Sequence, residues 1–161
     1  MKHILGGIVV VDFSQVVAGP ACTRLMAELG AEVIKVELAP AGDPSRLLPS
    51  ARDGHSAYFI QHNQGKKGIC VDPRQAEGLE LLKALIAKAD VLVENFSPGA
   101  FRRLGLGWDV VHALNPNLIM CSISAFGQTG PLSALPGYDF IAQAYAGVTS
   151  MIGEPDAPPA L

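Results

Sequence analysis

An unbroken apolar run near the amino terminus constrains the fold more than any other feature of this sequence. Ile8 to Val11 are four consecutive β-branched residues, and Asp12 and Phe13 follow them. A strand with one solvated face alternates apolar and polar side chains, whereas a strand buried on both faces does not. The run therefore predicts a strand in the interior of a parallel sheet that is covered on both sides.

A helix and a second strand follow this run. Pro20 suits a first helical position, where its missing N–H costs nothing, and Gly30 suits the residue after the last turn. Between them, apolar residues at helical spacing predict a buried helix face formed by Cys22, Leu25, Met26 and Leu29. Residues 31–36 predict a second buried strand with Glu37 at its carboxyl end, which gives a right-handed β-α-β unit.

The remainder of the chain continues this alternation. Residues 68–71, 90–94 and 118–123 predict three more strands, while residues 38–64 contain several Pro and Gly and predict a loop with short turns. Asp72 is expected to cap a helix that begins at Pro73. Shorter helices are predicted from Pro98 and over residues 108–114 and 139–145. Strands that alternate with helices indicate the α/β class.

The composition excludes several classes of function. With 49% hydrophobic and 17% charged residues the chain is not globally disordered, and its net charge of −3 gives no support to binding of nucleic acid or of an anionic membrane surface. No apolar run approaches the ~20 residues of a membrane span, and the amino terminus does not resemble a signal peptide. Three widely spaced cysteines predict reduced, buried thiols and a cytoplasmic protein, and the spacing of the four histidines predicts no metal site.

Candidate ligand-binding residues follow the predicted strands, because ligands of open parallel sheets bind at the carboxyl ends of strands. Glu37 has the spacing of a ribose-binding acid, but the turn after the first strand lacks the glycine fingerprint of dinucleotide sites. Alternatively, Gly19 and Pro20 only start a helix, and Glu37 is solvated. Five cations either contact an anionic ligand or are solvated surface charges: Lys66, Lys67, Arg74, Arg102 and Arg103. The pattern alone indicates an α/β domain with a candidate site for an anionic cofactor.

Longer strings of the sequence carry a more specific signal. They are Asp12 to Thr23 (DFSQVVAGPACT), Leu29 to Glu37 (LGAEVIKVE) with Gly42-Asp43, Asn63 to Lys67 (NQGKK), Ala89 to Gly99 (ADVLVENFSPG), Asn115-Pro116 through Phe126 to Pro131 (FGQTGP), and Gly137 to Asp139 (GYD). In this order, and over essentially the whole chain, they resemble the amino-terminal part of family III CoA-transferases, the CaiB/BaiF family.

The resemblance implies a Rossmann-like parallel sheet flanked by helices, which is the amino-terminal part of the family's large domain. It implies that residues 1–150 form an incomplete CoA-binding domain and that residues 151–161 begin the linker and catalytic segment. It also implies transfer of CoA from an acyl-CoA to a small carboxylic acid by an interlocked homodimer, with CoA as a substrate and no tightly bound cofactor. The implied CoA contacts are Val16, Val17, Ala18, Val71, Asp72, Pro73, Arg74, Asn95, Phe96, Ser97, Arg103, Pro136, Gly137, Tyr138 and Asp139.

The resemblance further implies that the family's nucleophile, an aspartate, lies just downstream of the position of Leu161, so no catalytic residue is expected within these 161 residues. This chain is therefore expected to be the CoA-binding part of the enzyme, without turnover by itself. One alternative is a non-catalytic CoA-binding or subunit module. A relative of the α-methylacyl-CoA racemases is a further alternative. It is weaker because those enzymes have a catalytic histidine where this chain has Tyr138, and tyrosine is a poor acid or base near neutral pH.

Overall fold

A computed structural model of the chain describes residues 3–49, 51–154 and 158, apart from the side chains of residues 51 and 52. Its strands are β1 Val9–Asp12, β2 Glu32–Leu38, β3 Ala51–Arg52, β4 His55–Ser56, β5 Lys67–Val71, β6 Val91–Glu94 and β7 Ile119–Ser122. Its α-helices are α1 Ala18–Glu28, α2 Ala57–Asn63, α3 Ala76–Ile86, α4 Trp108–Leu114 and α5 Asp139–Tyr145. Single helical turns lie at Pro44–Leu47, Arg102–Leu106 and Val148–Met151. Within the described part of the chain, no helix has the length and apolar character that crossing a membrane requires.

The chain divides into two compact units, Met1–Ile123 and Ser124–Leu161. The first unit is built on a five-stranded parallel sheet with the order β5-β2-β1-β6-β7. The chain runs outward from β1 through β2 to β5 and then returns to the other side of β1 for β6 and β7, so the winding reverses between β1 and β6. This is the α/β, Rossmann-like arrangement that the sequence predicts. In such sheets the ligand crevice lies at the reversal, outside the carboxyl ends of the strands.

Helices cover both faces of the sheet, as the β-branched run predicts. The adjacent residues Val10 and Val11 are both fully buried, and they belong to two different hydrophobic clusters. On one face, Val11 shares a cluster with residues of α3 and α4, namely Leu82, Ile86 and Val111. On the other face, Val10 shares a cluster with Met26 and Ala27 of α1. A strand enclosed in this way needs no polar alternation, which explains its sequence.

The apolar face predicted for α1 is wrong, because most of that stripe points away from the sheet. Its exposed residues are Cys22, Leu25 and Leu29. The buried residues of α1 are instead small or polar: Gly19, Pro20 and Thr23. A β-carbon on Gly19 would lie 2.1 Å from the β-carbon of Ser14, so only glycine allows the helix to approach the loop after β1 this closely.

Two further local predictions are corrected. The segment 38–64 is more regular than a loop, since it contains α2, which begins where the Ser56 hydroxyl accepts a hydrogen bond from the Phe59 N–H (3.4 Å). Asp72 does not cap α3, which begins at Ala76 after Gln75. Asp72 instead accepts a hydrogen bond from the backbone N–H of Arg74 (3.0 Å), so that Asp72 to Arg74 form a tight turn ahead of the helix.

The prediction of buried thiols is wrong for two of the three cysteines. Cys22 and Cys70 are exposed free thiols, and Cys121 is a half-buried free thiol. Burial raises the pKa of the Cys121 thiol above its usual value of 9.0. The apolar periodicity around Cys22 misled the prediction, because that face of α1 lies on the outside of the first unit.

The second unit contains a loop, α5 and the final helical turn. Within it, the rings of Phe126 and Tyr145 pack edge to face with 5.1 Å between their centroids. Gly137 lies so close to Ala125 that an added β-carbon would approach the Ala125 methyl group to 2.6 Å. Large apolar side chains of this unit are exposed, among them Tyr138, Phe140, Ile141, Tyr145 and Met151. The assignment of residues 1–150 to one CoA-binding domain stays a prediction.

Candidate functional site

Residues 14–17, which lie between β1 and α1 at the edge formed by the carboxyl ends of the strands, are called the β1 turn. Val16 has φ +65°, in the left-handed region that β-branched residues avoid. Such a conformation costs about 1–3 kcal/mol and persists only where the surroundings impose it. Val16 and Val17 are nevertheless 38% and 37% exposed, so packing of their side chains does not impose it. The conformation is held through the backbone.

A buried ion pair holds two backbone groups of the β1 turn. Asp43 Oδ1 accepts a hydrogen bond from the Val16 N–H (3.2 Å), and Asp43 Oδ2 pairs with Lys35 Nζ (2.8 Å). Lys35 Nζ also donates to the carbonyl of Ser14. The side chains of Lys35 and Asp43 are 2% and 0% exposed. Burial favours a raised pKa for Asp43, but the Lys35 ammonium and the Ser45 donors outweigh it and hold the pKa below 3.8.

Asn95, which follows β6, holds the β1 turn from the other side. Its side-chain oxygen accepts from the Gln15 N–H (2.7 Å), and its side-chain amide donates to the Gln15 carbonyl (2.8 Å). The two bonds join the loops that follow β1 and β6 across the reversal of the sheet. The predicted ligand residue Asn95 therefore uses its oxygen and one of its two N–H groups on the protein backbone.

A second buried ion pair lies behind the β1 turn. Lys66 Nζ contacts Asp12 Oδ2 at 2.9 Å and also donates to the Pro20 carbonyl (3.0 Å) and to Asn63 Oδ1 (2.9 Å). The Lys66 side chain is 1% exposed, and burial lowers its pKa from 10.5 despite the opposing charge of Asp12. Lys66 is thus neither a ligand contact nor a solvated charge, which corrects both interpretations of its sequence. Its neighbour Lys67 is a surface cation that pairs with Glu32 (2.6 Å).

The Glu37 carboxylate is likewise occupied by hydrogen bonds within the protein. Its carboxylate accepts two hydrogen bonds from Arg46 (2.6 and 2.7 Å) and one from the Asp43 N–H (3.0 Å), and Glu37 is 7% exposed. The Arg46 hydrogen bonds hold the pKa of Glu37 below 4.5, against the effect of burial. The Arg46 guanidinium in turn stacks 3.7 Å from the centre of the Phe59 ring. Glu37 is therefore neither solvated nor available to bind a ribose.

The amino terminus of α1 is left open beside the β1 turn. The N-cap is Val17, which has no side-chain oxygen, and no described side chain hydrogen-bonds there in its place. The first turn of α1 also lacks an acidic residue. Because the first N–H groups of a helix point outward and carry the positive end of its dipole, an open amino terminus favours an anionic or strongly polar oxygen. Val16, Val17 and Ala18, all predicted ligand contacts, are exposed around it.

The predicted contacts after β6 differ in their exposure. Phe96 is partly buried and stacks on Phe101 with 5.8 Å between ring centroids, whereas Ser97 is exposed. Arg103 is exposed, and its guanidinium has no ion-pair partner among the described residues. Its Nη1 lies 3.1 Å from the position that a β-carbon on Gly99 would occupy, so Gly99 leaves room for this side chain. Arg103 is thus a free cation close to the loop that follows β6.

The predicted contacts after β5 form a separate surface turn. Val71 and Pro73 are buried, so contact with a ligand there falls to Asp72, Arg74 and the backbone. Arg74 Nε lies 2.8 Å from Asp72 Oδ1, and the Arg74 side chain is 68% exposed. Hydrogen bonds from Arg74 lower the pKa of Asp72 below 3.8. Strand β2 lies between β1 and β5, so this turn is about 10 Å from the β1 turn by strand spacing.

The structure brings the contacts predicted after β1 and β6 together and leaves those after β5 further along the same edge of the sheet. The remaining four predicted contacts, Pro136, Gly137, Tyr138 and Asp139, lie in the second unit, where Tyr138 precedes α5 and Asp139 is its first residue. Their interpretation as CoA contacts stays a prediction.

Sequence reasoning missed Asp12, Lys35 and Asp43, which shape the β1 turn from behind. A local signal exists for the two acids, since each stands two residues before a serine, Ser14 and Ser45. This spacing allows an Asx turn, in which the carboxylate accepts the N–H two residues on. Both turns form, each with an N···O distance of 2.9 Å. No comparable local pattern identifies Lys35, which lies in the middle of a strand.

The chain is similar to known proteins over nearly its whole length. Residues 5–161 match the model of CoA-transferase family III. The chain is 44% identical over 164 residues to an acyl-CoA transferase of Fusarium pseudograminearum and 41% identical over 165 residues to a succinate–glutarate CoA-transferase of Agrobacterium fabrum. These alignments cover 96% and 98% of this chain but 36% and 41% of the two relatives.

A solved structure agrees with the match to this family. The crystal structure of a CAIB/BAIF family protein from Brucella suis has a TM-score of 0.92 and 41% identity, and the match covers 100% of this chain and 44% of that protein. The chain spans about two fifths of the length of the relatives that it matches. The strings of residues that suggested the family therefore belong to an alignment along the whole chain and to a shared fold. The chain belongs to CoA-transferase family III.

Proposed function

We propose that this chain binds the CoA part of an acyl-CoA at the carboxyl ends of β1 and β6. The protein to which it belongs would then transfer CoA from an acyl-CoA to a small carboxylic acid. The named activities of the relatives, such as succinate–glutarate CoA transfer, support the reaction class. They do not identify the acyl group or the acceptor used here, so the proposal is limited to the class.

One observation carries the proposal: the open amino terminus of α1 next to an exposed, strained turn at the reversal of the sheet. The uncapped N–H of Ala18 would donate to a polar or anionic oxygen of the ligand. The apolar side chains of Val16 and Val17 flank this position and suit a neutral segment of the ligand. CoA presents both kinds of group, since its diphosphate is anionic and its pantetheine arm is amide and alkyl.

Two arginines on the same edge of the sheet suit the charged half of CoA. Arg103 is free of ion pairs among the described residues, and Arg74 is largely exposed beside Asp72. A guanidinium makes charge-assisted, two-pronged hydrogen bonds to phosphate oxygens. Arg103 would bind phosphate, and the Asp72–Arg74 turn would contact the nucleotide end.

The buried carboxylates on this edge support a binding role for this chain and not a covalent one. Asp12, Glu37, Asp43 and Glu94 are all buried, and each accepts hydrogen bonds from the protein. A nucleophilic carboxylate must reach the thioester carbon, which buried and hydrogen-bonded groups do not. The covalent step therefore falls to an aspartate outside these four, as the family resemblance implies.

We also propose that Pro136 to Asp139 contact the pantetheine arm and that the protein works as a homodimer in the cytoplasm. The three free thiols support a reducing compartment. The exposed apolar side chains of α5 support association, because contiguous apolar surface is normally covered by protein. Light scattering of the purified protein tests the dimer.

Titration calorimetry with CoA tests the binding proposal. Arg103→Met should bind CoA at least about tenfold more weakly than the wild-type chain, since one charge-assisted phosphate contact is lost. Lys67→Met is the matched control, because Lys67 is also an exposed cation but lies at the opposite, amino-terminal end of β5. Absence of CoA binding by the wild type, or equal losses in the two variants, would contradict the proposal.

A further inference from the structure

The β1 turn is held by side chains that a ligand does not reach. Asp43 Oδ1 accepts from the Val16 N–H and from the backbone N–H and hydroxyl of Ser45, while Asp43 Oδ2 accepts from Lys35. Asp43 and Lys35 are 1% and 2% exposed. Since both oxygens of Asp43 are occupied and shielded, any effect of this pair on ligand binding must pass through the backbone of Ser14 and Val16, which the pair holds.

The three attachments of the turn act on three successive residues. The carbonyl of Ser14 is held by Lys35, both backbone groups of Gln15 are held by Asn95, and the N–H of Val16 is held by Asp43. The attachments come from β2, from the loop after β6 and from the segment after β2. A turn fixed from three separate segments of the chain has little freedom to relax out of an unfavourable φ.

We propose that Lys35, Asp43 and Asn95 are positioning residues that force Val16 into the left-handed conformation and thereby keep the α1 amino terminus open to CoA. The inference rests on the proposed function. Relaxation of Val16 to a negative φ would reorient the peptide planes on both sides of it, including the one that carries the Val17 N–H. The trio contributes to affinity by preorganising the turn, without touching the ligand through Lys35 or Asp43.

Single substitutions of the buried pair are poor tests, because they leave one charge buried without its partner and destabilise the whole unit. The double variants K35M/D43N and K35M/D43L remove both charges. The asparagine of the first variant would retain an acceptor for the Val16 N–H, whereas the leucine of the second is branched at the same carbon but has no acceptor. K35M/D43N should therefore bind CoA about tenfold more tightly than K35M/D43L.

The substitution Val16→Gly distinguishes a role of the buried pair in positioning the β1 turn from a general loss of stability. Glycine adopts a positive φ without steric cost, so the turn no longer needs to be forced. The tenfold difference between the two double variants should shrink to less than about threefold when both also carry Val16→Gly. A difference that is equal with and without Val16→Gly, or no difference in either background, would overturn the proposal.

Hydrogen–deuterium exchange of the unliganded chain tests the positioning proposal independently of whether CoA is the ligand. The peptide covering residues 13–18 of the unliganded chain should exchange faster in K35M/D43L than in K35M/D43N, while peptides from α3 exchange at equal rates. If the wild type binds no CoA but this difference is found, the proposed ligand is wrong and the forced turn stands. If CoA binds and exchange of residues 13–18 is equal in both variants, the positioning proposal fails.

Discussion

The turns that follow β1 and β5 were both predicted to contact CoA, yet the protein builds them in opposite ways. Buried ion pairs of Lys35 with Asp43 and of Lys66 with Asp12 support the β1 turn. The turn after β5 has a single ion pair among the described residues, Asp72 with Arg74, and that pair lies at the surface. The first turn is rigid and offers backbone groups, whereas the second is exposed and offers charge. The same edge of the sheet thus carries one turn that is fixed by buried ion pairs and one whose ion pair is at the surface.

The largest expected effect comes from Lys66. Lys66→Met removes the only cation on the buried Asp12 carboxylate in the described part of the chain, and breaking such a pair costs about 3–5 kcal/mol. Lys67→Met is the control, because its pair with Glu32 is exposed and contributes less than about 1 kcal/mol. Urea unfolding measures both free energies. Similar losses for these adjacent lysines would mean that the buried pair does not support the β1 turn as described.

The next effect is expected at Gly19, where α1 meets the β1 turn. Gly19→Ala places a methyl group 2.1 Å from the Ser14 β-carbon, so helix and turn must separate, at a cost of about 1–3 kcal/mol. Gly68→Ala in β5 is the matched change, since nothing lies within 4 Å of a β-carbon there. The unfolding free energy should fall only in the first variant. If Gly19→Ala leaves the unfolding free energy unchanged, the β1 turn is looser than its contacts indicate.

The sequence was sufficient to predict the sheet because its signal is local. Four consecutive β-branched residues require burial on both faces, and Val10 and Val11 are both fully buried. The face of α1 was not predictable in the same way. Its inward residues are selected by close approach at Gly19 and by a hydrogen bond from the Thr23 hydroxyl to Asp12 (2.7 Å), which apolar periodicity does not register.

The site was predicted less completely, because its chemistry depends on partners distant in sequence. Lys66 lies 54 residues from Asp12, and Asn95 lies 80 residues from Gln15. Only the fold brings these groups together, so sequence reasoning took Lys66 for a surface or ligand-binding cation. The exposed residues of the β1 turn were predicted from the family resemblance, and the structure adds that Val16 has a positive φ of +65°.

The stability of the chain should depend on pH through the carboxylates that support the β1 turn. The pKa values of Asp43 and Glu37 lie below their ordinary values of 3.8 and 4.5 in the folded chain. Their contribution to stability is therefore complete above about pH 4.5 and is lost as the pH falls through the lower folded-state values. Urea unfolding between about pH 7 and pH 3 should show this loss in the wild type, and a shallower loss in K35M/D43N. An equally steep loss in both would assign the acid sensitivity to other carboxylates.

The smallest effect on stability is expected at the turn after β5, where the effect on binding is the informative one. Arg74→Met removes an exposed guanidinium whose only described ion-pair partner is Asp72, so the unfolding free energy should not change measurably. Calorimetry should show CoA binding weakened several-fold if the turn after β5 contacts the nucleotide end of the ligand, as we propose. The effect should also shrink as salt screens the site, unlike that of the buried support of the β1 turn. If Arg74→Met instead weakens folding and leaves CoA affinity intact, the turn after β5 is structural, and the binding edge is confined to β1 and β6.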